Sequence, residues 1–201
     1  MPRKKAPSDT RQKLIDAALI VVARDGLEAA SVKSIAQQAG ITPGLLHYHF
    51  TSKEALLEAA LTAGTEAYIA RVRERQAVLG GPAQLAALFA EGEAAITAER
   101  DFLRLRLAFA AKALTDAAWA ETLRQLNRRA IQENALSLAK ARGEARANGR
   151  DEALAATLKA AFDGVMLTLL ITPDFNVAAA REILLAGAQA YLAANAPPSE
   201  T

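Results

Sequence analysis

Three observations predict an all-helical fold for this chain. Apolar residues recur three and four positions apart from one end to the other, and no stretch alternates apolar with polar as a strand would. Hydrophobic residues make up 52% of the 201 positions, much of that alanine, while aromatics are only 5% and Gly (11) and Pro (7) are few. Such a mixture has high helix propensity. The strongest breakers, Gly80-Gly81-Pro82 and Pro197-Pro198, fall between periodic runs or after the last one.

About nine helices follow from the pattern. The first carries the stripe Leu14, Ala17, Ala18, Val21 and Val22, with Asp9 or Thr10 as N-cap and Gly26 as its stop. The second starts at Ser31, buries Val32, Ile35, Ala36 and Ala39, and ends at Gly40. After Ile41 a third opens with Thr42 as N-cap and Pro43 at the first helical position, where its missing N–H costs nothing. Ile41 and Leu46 are then spaced as a hydrophobic staple. This helix is short, because Thr51-Ser52-Lys53-Glu54 has the form of a capping box that opens a fourth helix running to about Arg75. Beyond the glycine break come helices over 83–98, 101–114 and 116 to about 147. Another, capped by Asp151, runs to Ile171. The turn Thr172-Pro173-Asp174-Phe175 and the cap Asn176 lead into a last helix ending near Ala194.

Several function classes are set aside. There is no cysteine, so disulfides, thiolate metal sites and cysteine nucleophiles are excluded, and an intracellular (cytoplasmic) protein is expected. The longest strongly apolar run, Val165 to Ile171, is interrupted by Thr168 and falls well short of the roughly 20 residues that cross a bilayer. No membrane partner is therefore expected, and Met-Pro-Arg-Lys-Lys does not lead into an apolar secretion signal. There is no Gly-rich phosphate loop, no His-Glu metal spacing and no nucleophile elbow. Catalytic residues, cofactors and metals are not expected, and His47 and His49, two apart and roughly 200° around a helix, cannot grip one ion.

Charge is distributed unevenly. Residues 1–53 hold 8 Lys/Arg against 4 Asp/Glu, and the rest of the chain holds 16 against 18. A small basic segment on a slightly acidic body suits a nucleic-acid module carried by a second domain, hence an expected division at 1–53 and 54–201. A merely solvated basic tail would account for Arg3, Lys4 and Lys5 equally well.

Three short helices within about fifty residues, the second and third joined through Ala39-Gly40-Ile41, suggest a helix-turn-helix. The glycine supplies the positive φ that a tight link needs. At about 100° per residue, Leu46 and Phe50 point one way, while Gly44, Leu45, His47 and Tyr48 point broadly the other. Gly44 would let backbone approach a duplex closely, His47 and Tyr48 offer hydrogen bonds and flat rings, and the helix start at Thr42 attracts a phosphate.

From Thr10 through Leu57 the segment resembles the N-terminal domain of the tetracycline-repressor (TetR) family of bacterial regulators. The resemblance is carried by Ala17-Ala18, Gly26, Ser31-Val32-Lys33-Ser34-Ile35-Ala36, Ala39-Gly40-Ile41, Thr42-Pro43-Gly44-Leu45-Leu46-His47-Tyr48-His49-Phe50 and Lys53-Glu54-Ala55-Leu56-Leu57. The family usually has an aromatic in place of His47 and a polar residue in place of Pro43. The resemblance implies that Ser31, Thr42, Tyr48, His49 and Lys53 hold phosphates, that residues near Gly44, Leu45 and His47 approach bases, and that Lys33 and Pro43 belong to the same DNA-binding surface. The arm Arg3-Lys4-Lys5 would add a minor-groove or phosphate contact. It further implies a homodimer on palindromic operator DNA, released by a small-molecule inducer to relieve repression. The dimer would form through the last two helices, with Leu158, Phe162, Val165, Leu169, Ile183, Leu184, Gly187, Ala188 and Tyr191 as interface. For an inducer pocket in a helical ligand-binding and dimerisation domain, the candidates are Tyr68, Phe89, Phe102, Phe109, Trp119, Phe162 and Met166, since aromatics and Met make adaptable apolar walls. The competing readings are an all-helical small-molecule-binding protein or enzyme without DNA binding, and an adapter that binds another protein through its final helices.

Overall fold

The computed structural model describes residues 7–194, and among these it contains nine α-helices and no strand. They are α1 (Pro7–Asp25), α2 (Val32–Ala39), α3 (Pro43–His49), α4 (Lys53–Val78), α5 (Gly81–Ala98), α6 (Arg100–Ala113), α7 (Ala117–Ala141), α8 (Gly149–Ile171) and α9 (Val177–Ala194). The all-helical reading holds throughout. Arg3-Lys4-Lys5 and Pro197-Pro198 lie outside the described residues.

The chain packs as two compact units. One comprises the residues up to Glu66 together with Arg100–Leu126, the other Ala67–Glu99 together with the residues from Asn127 onward. Two of the three borders thus fall inside the helices α4 and α7, and the third between α5 and α6. In the first unit α1 packs against α2 and α6, and α2 against α3. Its core is apolar: Leu14, Ala18, Val21, Ile35, Leu46, Leu56, Leu57, Leu61, Leu105 and Phe109 are all fully buried. Burying each large side chain contributes roughly 1.5–3 kcal/mol. In the second unit α9 packs against α5 and α8, around Val72, Leu85, Phe89, Ala135, Leu138, Ala155 and Ala188.

Local chemistry explains most helix ends. Ser31 caps α2 as its pattern predicts: its hydroxyl accepts from the Ser34 N–H at 3.1 Å, and Ser34 Oγ accepts from the Ser31 N–H at 2.9 Å. Gly40, at φ +65°, closes α2 as a Schellman motif, with the Ile41 N–H donating to Ala36 O at 2.9 Å and the Gly40 N–H to Gln37 O at 3.1 Å. Ile41 and Leu46 both join the first core cluster. Asn176 caps α9 through the Ala179 N–H.

Four boundaries differ from expectation. Helix α1 begins at Pro7, so Asp9 and Thr10 lie inside it and Asp9 pairs with Lys13 one turn on. The cap of α4 is Ser52, one residue later than Thr51, because its hydroxyl accepts from the Ala55 N–H at 3.1 Å. Helix α7 stops at Ala141, since Gly143 at φ +80° forms a second Schellman closure, the Glu144 N–H donating to Ala139 O at 3.0 Å. Helix α8 is capped by Asn148, not Asp151. Asp151 sits at the third helical position, where it returns a bond to the Asn148 N–H at 2.9 Å and takes Arg142 at 2.7 Å while 1% exposed.

Helix α8 also corrects the expectation drawn from its apolar run. An 18-residue window of its 23 residues has a mean hydropathy of 1.7, long and apolar enough to cross a membrane. Alanines upstream of Val165 extend the apolar stretch. Against a membrane span, the Lys159–Asp163 ion pair lies within the helix, and Ala155 and Leu158 belong to the second unit's core.

Candidate nucleic-acid interface

The surface of interest is built on α2 and α3. Leu46 is fully buried and Phe50 nearly so, anchoring α3 to the first unit's core, with the Arg11 guanidinium 4.9 Å from the centre of the Phe50 ring. The other side of α3 is bare. Tyr48 is 78% exposed and Leu45 41% exposed, and Pro43, Gly44 and His47 are exposed with them. Gly44 does not have positive φ, and a Cβ there would meet nothing within 4 Å. Neither backbone conformation nor packing inside the chain therefore requires glycine at this position. Its i,i+4 neighbour Tyr48 is equally free of a packing duty, apart from an edge-on contact with His49, centroids 5.1 Å apart. His49 itself is half-buried, as expected from its place between the two faces.

Around this face lie Ser31 and Lys33, both exposed, and Thr42, whose hydroxyl makes no cap bond. Lys53 is held differently from its neighbours. Half-buried, it donates from Nζ to Ala30 O at 3.0 Å and to Leu27 O at 3.3 Å. Beside it the Glu54 carboxyl is held below the usual carboxylate range, first by its own backbone N–H, with the Ser52 hydroxyl, Lys53 and Lys112 adding to this and burial opposing it. The tie from Lys53 to the α1–α2 connection is not legible in the sequence, since nothing in the spacing marks a contact 23 or 26 residues away.

The seven residues expected around an inducer are divided between the two units. Phe102, Phe109 and Trp119 belong to the first unit: Phe109 and Trp119 stack with centroids 4.2 Å apart, and the Phe102 ring fills the place of a Cβ on Gly64. Tyr68, Phe89 and Phe162 belong to the second unit, with Phe162 lying on Gly92 and 5.7 Å from Phe89; Met166 is also buried there. The second unit adds polar groups that periodicity missed. The Tyr68 hydroxyl donates to Asn134 Oδ1 at 3.0 Å, and burial pushes its phenol up to about 12. Glu91, almost wholly buried, pairs with both Arg71 and Arg75, and Gln76 donates to Ser137 Oγ at 2.8 Å. A surface groove of about 580 Å³ in the first unit, bounded by Gly26, Glu28, Lys112 and Thr115, contains none of the seven.

The stripes assigned to the last helices are corrected in phase. Leu158, Leu169 and Ala188 are buried in their own unit, and Phe162 is occupied with Gly92 and Phe89. Val165 and Leu184 are half-buried. Among the residues α8 leaves exposed are Ala160, Gly164, Leu167, Thr168 and Ile171, and among those of α9 are Ile183, Gly187 and Tyr191. Both helices are apolar nearly all round, so their sequences do not say which side faces the core.

Comparison with known proteins agrees with this arrangement. Residues 14–60 match the family described as bacterial regulatory proteins, tetR family, and residues 81–193 match the BetI-type transcriptional repressor C-terminal domain. The HTH-type transcriptional regulator UidR of Escherichia coli K12 is 40% identical over 65 residues, covering 32% of this chain and 33% of UidR. The nicotine-responsive repressor HdnoR of Paenarthrobacter nicotinovorans is 48% identical over 52 residues, 26% of this chain and 27% of its own. The matched stretch thus spans about a third or less of the length of these curated relatives. The likeness in three dimensions is longer: a solved structure from Pseudomonas aeruginosa PAO1, assigned as a transcriptional regulator, superposes with a TM-score of 0.79 at 25% identity over 96% of this chain and 94% of its own. With the C-terminal match alone covering more than half of its residues, and a helix-turn-helix of the expected form ahead of it, this chain belongs to the TetR family of bacterial transcriptional regulators.

Proposed function

We propose that the protein is a ligand-responsive transcriptional repressor that binds palindromic operator DNA as a homodimer, through residues 31–53, and is released by a small-molecule inducer. The observation that carries this reading is the bare face of α3, where Gly44 and Tyr48 stand one turn apart with no role inside the chain. A glycine without steric cause beside a solvent-exposed tyrosine fits close approach to a duplex, with Leu45 and His47 toward base edges. Ser31, Lys33, Thr42, Pro43, Tyr48 and His49 would frame the phosphates. In this division of labour residues 1–53 recognise DNA and 54–201 bind ligand and dimerise, although packing divides the chain elsewhere.

The exposed apolar face of α8 and α9 supports the dimer. Ile171 and Ile183 are each 73% exposed, and Gly164 and Gly187 permit close axial approach to a twofold-related copy. Ile183, Gly187 and Tyr191 remain in the interface, joined by Leu167 and Ile171, while Leu158, Leu169 and Ala188 serve the subunit's own core. The inducer's walls narrow to Tyr68, Phe89, Phe162 and Met166 of the second unit. HdnoR is itself nicotine-responsive. Coupling would be reciprocal, DNA weakening inducer binding by the factor with which inducer weakens DNA binding. A protein acting on operators works where the chromosome is, in the bacterial cytoplasm.

Selection from random duplexes is expected to yield a palindrome whose half-sites lie about 34 Å apart. Tyr48→Ala is expected to lower operator affinity while changing stability by less than about 0.5 kcal/mol, with the dimer intact by sedimentation. Loss of affinity and dimer together would overturn the assignment of Tyr48 to the DNA face.

A further inference from the structure

We infer that Lys53 is a positioning residue for DNA recognition, a tie that sets the start of α2 and with it the reading helix, and not a group that holds a phosphate. The inference rests on the DNA-binding reading above, but its evidence lies within the free protein. The side chain is half-buried, and two of its three N–H donors are engaged by Ala30 O at 3.0 Å and Leu27 O at 3.3 Å. These carbonyls belong to the connection between α1 and α2, which turns at Gly26 with φ +83° and closes where the Ala30 N–H meets Gly26 O at 3.1 Å. Ala30 is buried, and the next residue is Ser31, the cap of α2. From there Gly40 and its Schellman closure lead directly into α3. A displaced Ala30 therefore shifts the cap, then α2, then the face that carries Tyr48.

Lys53 is also the first residue of α4, where the helix dipole disfavours a cation. The oxygen dipoles of Leu27 and Ala30 supply the compensation, so no bound phosphate is needed for it.

The test compares the parent protein with K53M and K53R. In the free protein, amide exchange at Ala30 and Ser31 is expected to be about tenfold faster in K53M, the scale of a hydrogen bond to a charged group, while Leu14 and Ile35 stay protected. Operator affinity should fall by a similar factor with the salt dependence of binding unchanged, and K53R should restore both readouts together. A phosphate contact gives the opposite pattern: exchange unchanged in K53M, and a salt slope shallower by about 0.9. That result overturns the inference. If circular dichroism shows K53M unfolded, K53Q, which drops the charge and shortens the reach, takes its place with the same two outcomes. Failure of the parent protein to select any duplex would overturn the DNA reading, and the exchange comparison would still decide whether the tie orders the connection.

Discussion

The two units keep their interiors in different ways. The first is filled by aliphatic and aromatic side chains, and among the described residues its buried polar ones are the threonines Thr10 and Thr65, the latter donating to Leu61 O one turn back. The second buries Gln76, Gln84, Glu91, Ser137 and Asp151, with Glu91 and Asp151 in ion pairs and Gln76 bonded to Ser137. The interior of the unit that presents Tyr48 is held mainly by apolar packing. The other unit is specified partly by polar pairing, which has strict geometric demands and a high cost when a partner is lost.

The largest expected effect breaks the first unit. Phe109→Ala removes a fully buried ring that stacks on Trp119, and should destabilise by about 3–5 kcal/mol in thermal unfolding, with Trp fluorescence reporting the loss. Next comes the polar interior. Asp151→Ala removes the partner of Arg142 and one half of the α8 capping box, for an expected loss of about 2–3 kcal/mol, visible as faster amide exchange at the start of α8. The smallest effect sharpens the contrast most. Tyr68→Phe should cost about 1 kcal/mol at neutral pH. The raised phenol means that the folded state keeps its proton longer than the unfolded chain, so stability is lost as pH climbs from the ordinary tyrosine range toward about 12. The variant should unfold less steeply in alkali than the parent, and the difference in tyrosinate absorbance between them should show a transition near 12.

Much of the candidate interface was legible because its determinants are local. Ser31, Gly40 and Pro43 act on residues within one turn, so capping rules and the 3.6-residue period suffice to place α2, α3 and the outward direction of Gly44 and Tyr48. Asp151 and Gly143 show where local rules fall short. Asp151 is expected as the cap of α8, yet Asn148 takes that place, and the helix expected to run to about residue 147 ends at Ala141 because Gly143 adopts the αL conformation. Lys53 lies further still from local logic, because its carbonyl partners come from a distant connection.

Composition and period by themselves determined the helical class, the order of the helices, the turn glycine and the two-sided character of α3, since each follows from backbone stereochemistry and neighbours along the chain. Tertiary structure decided which side of α8 and α9 is covered, which aromatic rings share a core, and that the lysine opening α4 is bonded to the α1–α2 connection. The reason is physical: a helix apolar on every side has no preferred phase until another helix packs on it, and a hydrogen bond across 23 residues exists only when the chain has folded to make it.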